Sequence, residues 1–305
     1  MFKAFGLEYK YLDDGHNIEK LIELFESVKG INHPVVLHIH TIKGKILSYA
    51  EENAVAMSSG IVKNGGTALF GTFSPFFQRI YDQISHDLCL NDNPATMLVL
   101  LSGIYGMNTN THIALCDIQM FAHIPNLIYL APASKEEYRQ MFKFATTQKE
   151  HPVAIRVPVV FTQSGVEDTT DYSVYNKNKV EIKGSKVAIF TVGAMLPMAL
   201  ETAKKVKEET GLEITVINPR FLTGLDEELL TKLKENHELV ITLEDGELIG
   251  GYGQTIASFY GDMNIKVKNY GISKAFNTDF KADELLAENG MSVEQLTAYI
   301  KKSVH

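Results

Sequence analysis

The sequence is poor in cysteine, carries no excess of positive charge and has no long apolar run, and each absence closes off a class of function. Lysine and arginine together number 29 against 37 aspartates and glutamates, a formal net charge of -8. Such a chain offers no basic field to nucleic acid or to an anionic membrane, so neither is expected as a partner. No stretch approaches the ~20 apolar residues of a membrane span, and Met1-Phe2-Lys3-Ala4 lacks a signal peptide's apolar core. The two cysteines, Cys89 and Cys116, stand in apolar surroundings without metal-ligand spacing. They read as buried thiols in a reducing compartment, by default the cytoplasm. Compact motifs are missing too: there is no GxGxxG after a strand, no P-loop, no CxxC and no HExxH. Function has to be sought in scattered residues.

What is there is an alternation of apolar periods, in a 305-residue chain long enough for two domains. Asn17 reads as an N-cap, and Ile18, Leu21, Ile22, Phe25 and Val28 mark one helical face ending near Gly30. Val35 to His40 is short and β-branched enough for a strand buried on both faces. A helix over 51–62, a strand over 67–73, a helix over 76–88, a strand over 96–101, a helix over 135–147 and a strand over 153–157 follow. From Thr162 to Lys186 the chain turns polar and loses periodicity, as a linker does. Strands over 187–192, 213–217, 239–243 and 265–269 then alternate with helices over 197–209, 226–236, 254–260 and 293–302. The fold class is therefore α/β, with mainly parallel sheets flanked by helices in two domains. The expected boundaries are a small unit over 1–48, a domain over 49–165, a linker over 166–185 and a second domain over 186–305.

Four features could carry chemistry. Glu51-Glu52 opens a small-sided helix, although acidic residues in a first turn also simply complement the helix dipole. Phe70, Phe73, Phe76, Phe77 and Tyr81 cluster around Arg79 and Asp82, a pattern that core packing with a surface ion pair would equally produce. Ser102 to His112 is a polar loop directly after a buried strand, where α/β proteins place ligands. Asp14-Gly15-His16 is a turn with a titratable tip. His33, His38 and His40 lie in or beside one strand without a carboxylate to complete a set, so no metal site is expected.

Together and in this order, these features resemble the 1-deoxy-D-xylulose-5-phosphate synthase family of the transketolase superfamily. Ala50-Glu51-Glu52 matches the family's helix beginning Ala-Glu-Gln/Glu, and Phe76-Phe77-Gln78-Arg79-Ile80-Tyr81-Asp82-Gln83 its Phe-Leu-Gln-Arg-Ala-Tyr-Asp-Gln. Thr111-His112, Ile124-Pro125-Asn126, Ala131-Pro132 and Ala154-Ile155-Arg156 keep the register to about Pro158, and Glu244-Asp245 with Gly250-Gly251-Tyr252-Gly253 resembles the family's C-terminal domain. The resemblance implies a pyrimidine-binding domain over 49–165 and a transketolase C-terminal domain over 186–305, with thiamine diphosphate and Mg2+ as cofactors. By that resemblance Glu51 hydrogen-bonds the aminopyrimidine and drives its tautomer, Phe76 packs on that ring, and Phe73 and Arg79 complete the cofactor slot. His112 and His16 match the histidines that face the thiazolium and substrate, with Asn108 and Ser102 on the substrate side. The implied reaction condenses pyruvate with glyceraldehyde 3-phosphate with loss of CO2, toward isoprenoid precursors, thiamine and pyridoxal, in a cytoplasmic homodimer.

The sequence also departs from the family. The Gly-Asp-Gly segment that holds the magnesium and the diphosphate is not in the chain, so 1–48 reads as a remnant of the diphosphate-binding domain. A second deletion is expected after Lys45, because Lys43 to Tyr49 runs almost directly into Ala50-Glu51. Leu101 and Val159 stand where the family has phosphate-clamping arginines, Asn108 where it has aspartate and Phe73 where it has tyrosine. These differences predict a chain incomplete by itself. The alternatives are one subunit of a split enzyme that meets a separate diphosphate-domain chain and uses a different acceptor, or a non-catalytic truncated chain that keeps the fold for dimerisation.

Overall fold

The computed structural model describes residues 8–33, 35–40, 50–109, 111–159 and 161–304, and the expected junction around Lys45 lies outside them. Three sheets organise the described residues. The first pairs β1 (Glu8–Leu12) with β2 (Val35–Ile39) in parallel, and α1 (Ile18–Glu26) is the crossover between them. Asn17 caps α1 as expected, its side chain accepting from the Lys20 N–H. The expectation of a strand buried on both faces fails for β2. Its residues are half-buried or exposed, because a two-stranded sheet has a helix on one face only.

The second sheet has the order β3 (Leu69–Phe73), β4 (Thr96–Leu100), β6 (Val153–Val157), β5 (Ile128–Leu130), with every neighbour parallel. It is covered by α2 (Ala50–Lys63), α4 (Asp117–Phe121) and α5 (Lys135–Thr147). The helix expected over 76–88 is instead three kinds of turn in succession. Ser74–Ile80 is a 3-10 helix, Tyr81–Gln83 a single α turn, α3, and Ile84–Cys89 a π-helix. Pro75 stands at the start of the 3-10 turn, and Phe77, Ile80, Ile84 and Leu88 keep the α-helical apolar spacing and are all buried. The short elements α4 and β5 escaped the periodicity. Three to five residues hold too little of a repeat to register.

The third sheet has the order β11 (Lys266–Ile272), β10 (His237–Glu247), β8 (Lys186–Thr191), β9 (Thr215–Asn218), β7 (Lys179–Ile182). It is parallel except for β7, which runs antiparallel to β9 on one edge. Around it lie α6 (Leu196–Thr210), α7 (Glu227–Leu233), α8 (Tyr252–Phe259), α9 (Ala282–Glu288) and α10 (Val293–Ser303). The polar tract read as a linker thus supplies β7, and it also buries Tyr172 against Phe221. Among the described residues no helix is long and apolar enough to cross a membrane.

The two larger sheets share one interior. A continuous buried cluster runs from Val55, Phe77 and Phe121 through Tyr129 to Phe190, Ile217 and Tyr252. Backbone bonds stitch the domains together as well. The Ala131 N–H donates to the Arg220 carbonyl and the Leu222 N–H to the Tyr129 carbonyl, each at 2.8 Å, so residues 220–222 extend the edge of β5.

Candidate active site

The position of the site follows from strand order. β3 and β4 are neighbours in parallel register, Phe73 beside Leu100, so the segments leaving their carboxyl ends emerge side by side. The segment after β3 carries Phe76 and Arg79, and the one after β4 carries Ser102, Asn108 and His112. Their side chains meet there. The His112 ring stands edge-on to Phe76 with centroids 5.0 Å apart, Phe73 lies tilted at 6.0 Å on Phe76, and the Arg79 guanidinium sits 5.2 Å from the Phe76 centroid. Such pairings hold an aromatic face in a fixed orientation beside a cation and an imidazole.

Glu51 lies half-buried in the first turn of α2, and α2 packs against the Ser74–Ile80 turn that presents Phe76. Beside it, Glu52 Oε2 is buried without a hydrogen-bond partner. This end of α2 therefore has acceptor capacity that the protein leaves unfilled. Ser102 is buried, and its hydroxyl donates to the Val99 carbonyl at 2.8 Å, which makes it a strand-end cap. Asn108 Nδ2 donates to the Phe280 carbonyl at 2.7 Å, so its amide already holds the C-terminal domain. His112 Nδ1 pairs with Thr111 Oγ1 at 2.7 Å. His16 lies in the separate β1–α1–β2 unit, where its N–H donates to Asp14 Oδ1. Tyr81 shares a 2.8 Å hydrogen bond with His123. Asp82 pairs with His86 and not with Arg79.

Behind this surface lies a charge cluster to which no role was assigned from sequence. Arg156 on β6 is buried between Asp117, 2.6 Å from its Nε, and Asp245 of β10, and the Tyr129 hydroxyl donates to Asp117. Burial works against the guanidinium's charge, yet Asp117 and Asp245 hold it protonated well above its ordinary range. Burial pushes the Asp245 carboxyl up, with Arg156 opposing. Next to it, burial pushes Glu244 up to about 8, although the Tyr252 and Gly253 N–H groups donate to its two oxygens at 2.9 and 3.0 Å. The signal available was a charge inside an apolar strand: Arg156 interrupts Val153 to Val157, and Glu244-Asp245 follows Leu239 to Leu243.

Comparison with known proteins agrees with this layout. The transketolase pyrimidine binding domain family matches residues 47–160, and the transketolase C-terminal domain family matches residues 176–296. The chain belongs to the transketolase superfamily. A third family, 1-deoxy-D-xylulose-5-phosphate synthase, matches residues 1–41 of this transketolase-type chain. Curated relatives include the 1-deoxy-D-xylulose-5-phosphate synthases of Clostridium tetani, 26% identical over 99% of the chain and 61% of the relative, and of Alkaliphilus oremlandii, 28% identical over the same shares. The synthase of Crocosphaera subtropica is 31% identical over 83% of the chain and 40% of its own length. The chain thus spans about three fifths of the length of the first of these relatives. The C. tetani alignment runs over 380 residues although the chain has 305, so the relatives carry internal segments that it lacks. The synthase match and the pyrimidine-domain match leave residues 42–46 between them, the stretch where a deletion is expected. Among solved structures, a split gene transketolase described as an inactive beta4 tetramer matches with a TM-score of 0.73, at 22% identity over 97% of this chain and 91% of that one. Transketolase from Campylobacter jejuni matches with a TM-score of 0.64, at 18% identity over 81% and 38%. These likenesses concern the fold.

Proposed function

We propose that this chain forms the pyrimidine side of a thiamine-diphosphate-dependent transferase that joins pyruvate to an aldehyde acceptor with loss of CO2. The observation that carries the reading is the Phe76 ring, flanked by His112 and Arg79 at the shared carboxyl edge of β3 and β4, in a segment against which α2, the helix whose first turn bears Glu51, packs. The residues present suit the pyrimidine half of the cofactor. An aromatic face provides a stacking surface for a flat heterocycle. The Glu51 carboxylate, in a helix first turn with an unfilled acceptor beside it, suits a ring that presents N–H donors. When bound, thiamine diphosphate supplies the carbanion chemistry that such condensations need. The chain's own tasks are to orient the ring through Phe76 and Glu51, to hold a proton at the Glu51 carboxyl, and to present His112 to a developing oxyanion.

We take the diphosphate and Mg2+ to be held by a second contributor. Among the described residues no group of three or more His, Cys, Asp or Glu side chains could hold a metal ion. The β1–α1–β2 unit supports a partner domain, since a two-stranded parallel sheet with Tyr11, Ile18 and Ile22 exposed is half of an ordinary α/β layer. We take that partner to be a diphosphate-binding domain, carried on another chain as in a split enzyme, within a homodimeric or larger assembly. Leu101 and Val159 stand where the resembled family has phosphate-clamping arginines, which favours an unphosphorylated aldehyde over glyceraldehyde 3-phosphate.

Calorimetric titration with thiamine diphosphate and Mg2+ tests this reading. The chain mixed with a diphosphate-binding domain should bind the cofactor, whereas the chain alone should not. Tight binding by the chain alone would remove the need for a partner, and binding unaffected by Phe76→Ala in the assembly would remove the pyrimidine slot.

A further inference from the structure

His112 belongs to a loop that leaves β4 of the pyrimidine-binding domain, yet most of that loop's attachments lie in the other domain. The chain turns sharply out of the sheet at Leu101 and Gly103, whose φ values are +54° and +83°. Gly103 comes to rest on Asp245 so closely that an added Cβ would lie 1.9 Å from its Oδ2. Two residues on, the Tyr105 hydroxyl donates to Asp283 Oδ1 at 3.2 Å. Asn108 is held twice, its side-chain amide donating to the Phe280 carbonyl at 2.7 Å and its own carbonyl accepting from the Asp279 N–H at 2.8 Å. Within the loop the His112 N–H donates to the Thr109 carbonyl at 2.9 Å, so the fixed Asn108 is passed to the histidine through one turn.

We infer that the C-terminal domain sets the position of His112 against Phe76, with Asp245, Asp283 and the 279–280 backbone acting as positioning groups. The three grips follow the chain at residues 103, 105 and 108, two or three residues apart. Within its own domain the loop is anchored at the strand end, through the Ser102 N–H to the Val157 carbonyl and the Gly103 N–H to the Ala114 carbonyl. The C-terminal domain thereby has a task at the site through its contacts with the loop. The inference takes its functional meaning from the proposed cofactor site, but the contact it concerns exists without a cofactor.

Nuclear magnetic resonance of the full chain reads that contact directly. The edge-on Phe76 ring shifts the His112 ring protons, and Phe76→Leu calibrates their position with the ring removed. Tyr105→Phe combined with Asn108→Ala, and separately Asp283→Ala, should move the His112 resonances toward the Phe76→Leu position and speed exchange of the His112 amide, with little change in melting temperature. Gly103→Ala, which forces the loop off Asp245, should move the His112 resonances in the same direction, with a lower melting temperature because it also strains the backbone and presses on the buried Arg156–Asp245 pair. His112 resonances and amide exchange unchanged in the folded double variant and in Asp283→Ala would overturn the inference. A failed titration with thiamine diphosphate would leave it standing.

Discussion

Replacing Arg156 with methionine removes the only cation of a cluster that otherwise keeps two carboxylates, Asp117 and Asp245, in the interior. Removing one partner of a buried pair costs about 3–5 kcal/mol, because the remaining charge has neither water nor a counter-ion. The upper half of that range is expected here. Two acids are stranded, and Asp245 Oδ2 has no hydrogen-bond partner to begin with. At ~2–4 °C per kcal/mol the melting temperature should fall by roughly 10 °C. The loss should depend on pH, with a sign set by burial. The Asp245 carboxyl already titrates above its ordinary range, and without the guanidinium it rises further. The folded variant then binds protons that the unfolded chain, titrating near ~4, does not, so its stability increases on acidification from pH 8 to pH 5. Urea unfolding of both proteins at the two pH values measures this. A deficit below about 1 kcal/mol, as for an exposed pair, or one that grows on acidification, would refute the reasoning.

Two further outcomes follow from buried ionisable groups. Glu244→Gln should destabilise the fold most at pH 5, where the native carboxyl carries its proton, because the amide NH2 cannot accept one of the two backbone N–H bonds that Glu244 takes. With a folded pKa of about 8 against ~4.3 in the unfolded chain, wild type should lose stability relative to the variant by up to ~1.4 kcal/mol per unit as pH rises between those values. Parallel melting profiles from pH 5 to 8 would contradict it. Burial pushes the Cys89 thiol up to about 12 and the Cys116 thiol up to about 11. Both should therefore resist a thiol reagent at pH 8 until the chain is unfolded, with half-buried Cys116 labelled first; prompt labelling of Cys89 in the native protein would show that site to be open.

Much of the fold could be read in advance because its long elements obey one period each. The helix over 135–147 and the strand over 153–157 appear where the pattern put them. The pattern failed where length or periodicity ran out: at β5 and α4, at the edge strand β7 inside a polar tract, and at residues 74–89, where the helix changes its winding twice. At the site, Phe73, Phe76, Arg79 and His112 come together because parallel neighbouring strands bring their following segments to one edge. Asn108 and Ser102 turned out to be engaged with Phe280 and Val99, contacts that no local pattern encodes. The Arg156 cluster joins residues 39 and 89 positions apart, and only the tertiary fold brings them together.

We propose that the carboxyl at position 51 is the group that works on a pyrimidine ring held by Phe76. It is tested most directly by pyruvate-dependent CO2 release from the chain assembled with a diphosphate-binding domain, comparing wild type with Glu51→Gln. Turnover should fall by ~10²–10⁴, the worth of a positioned acid–base group, with the assembly intact. Undiminished turnover in Glu51→Gln would contradict it.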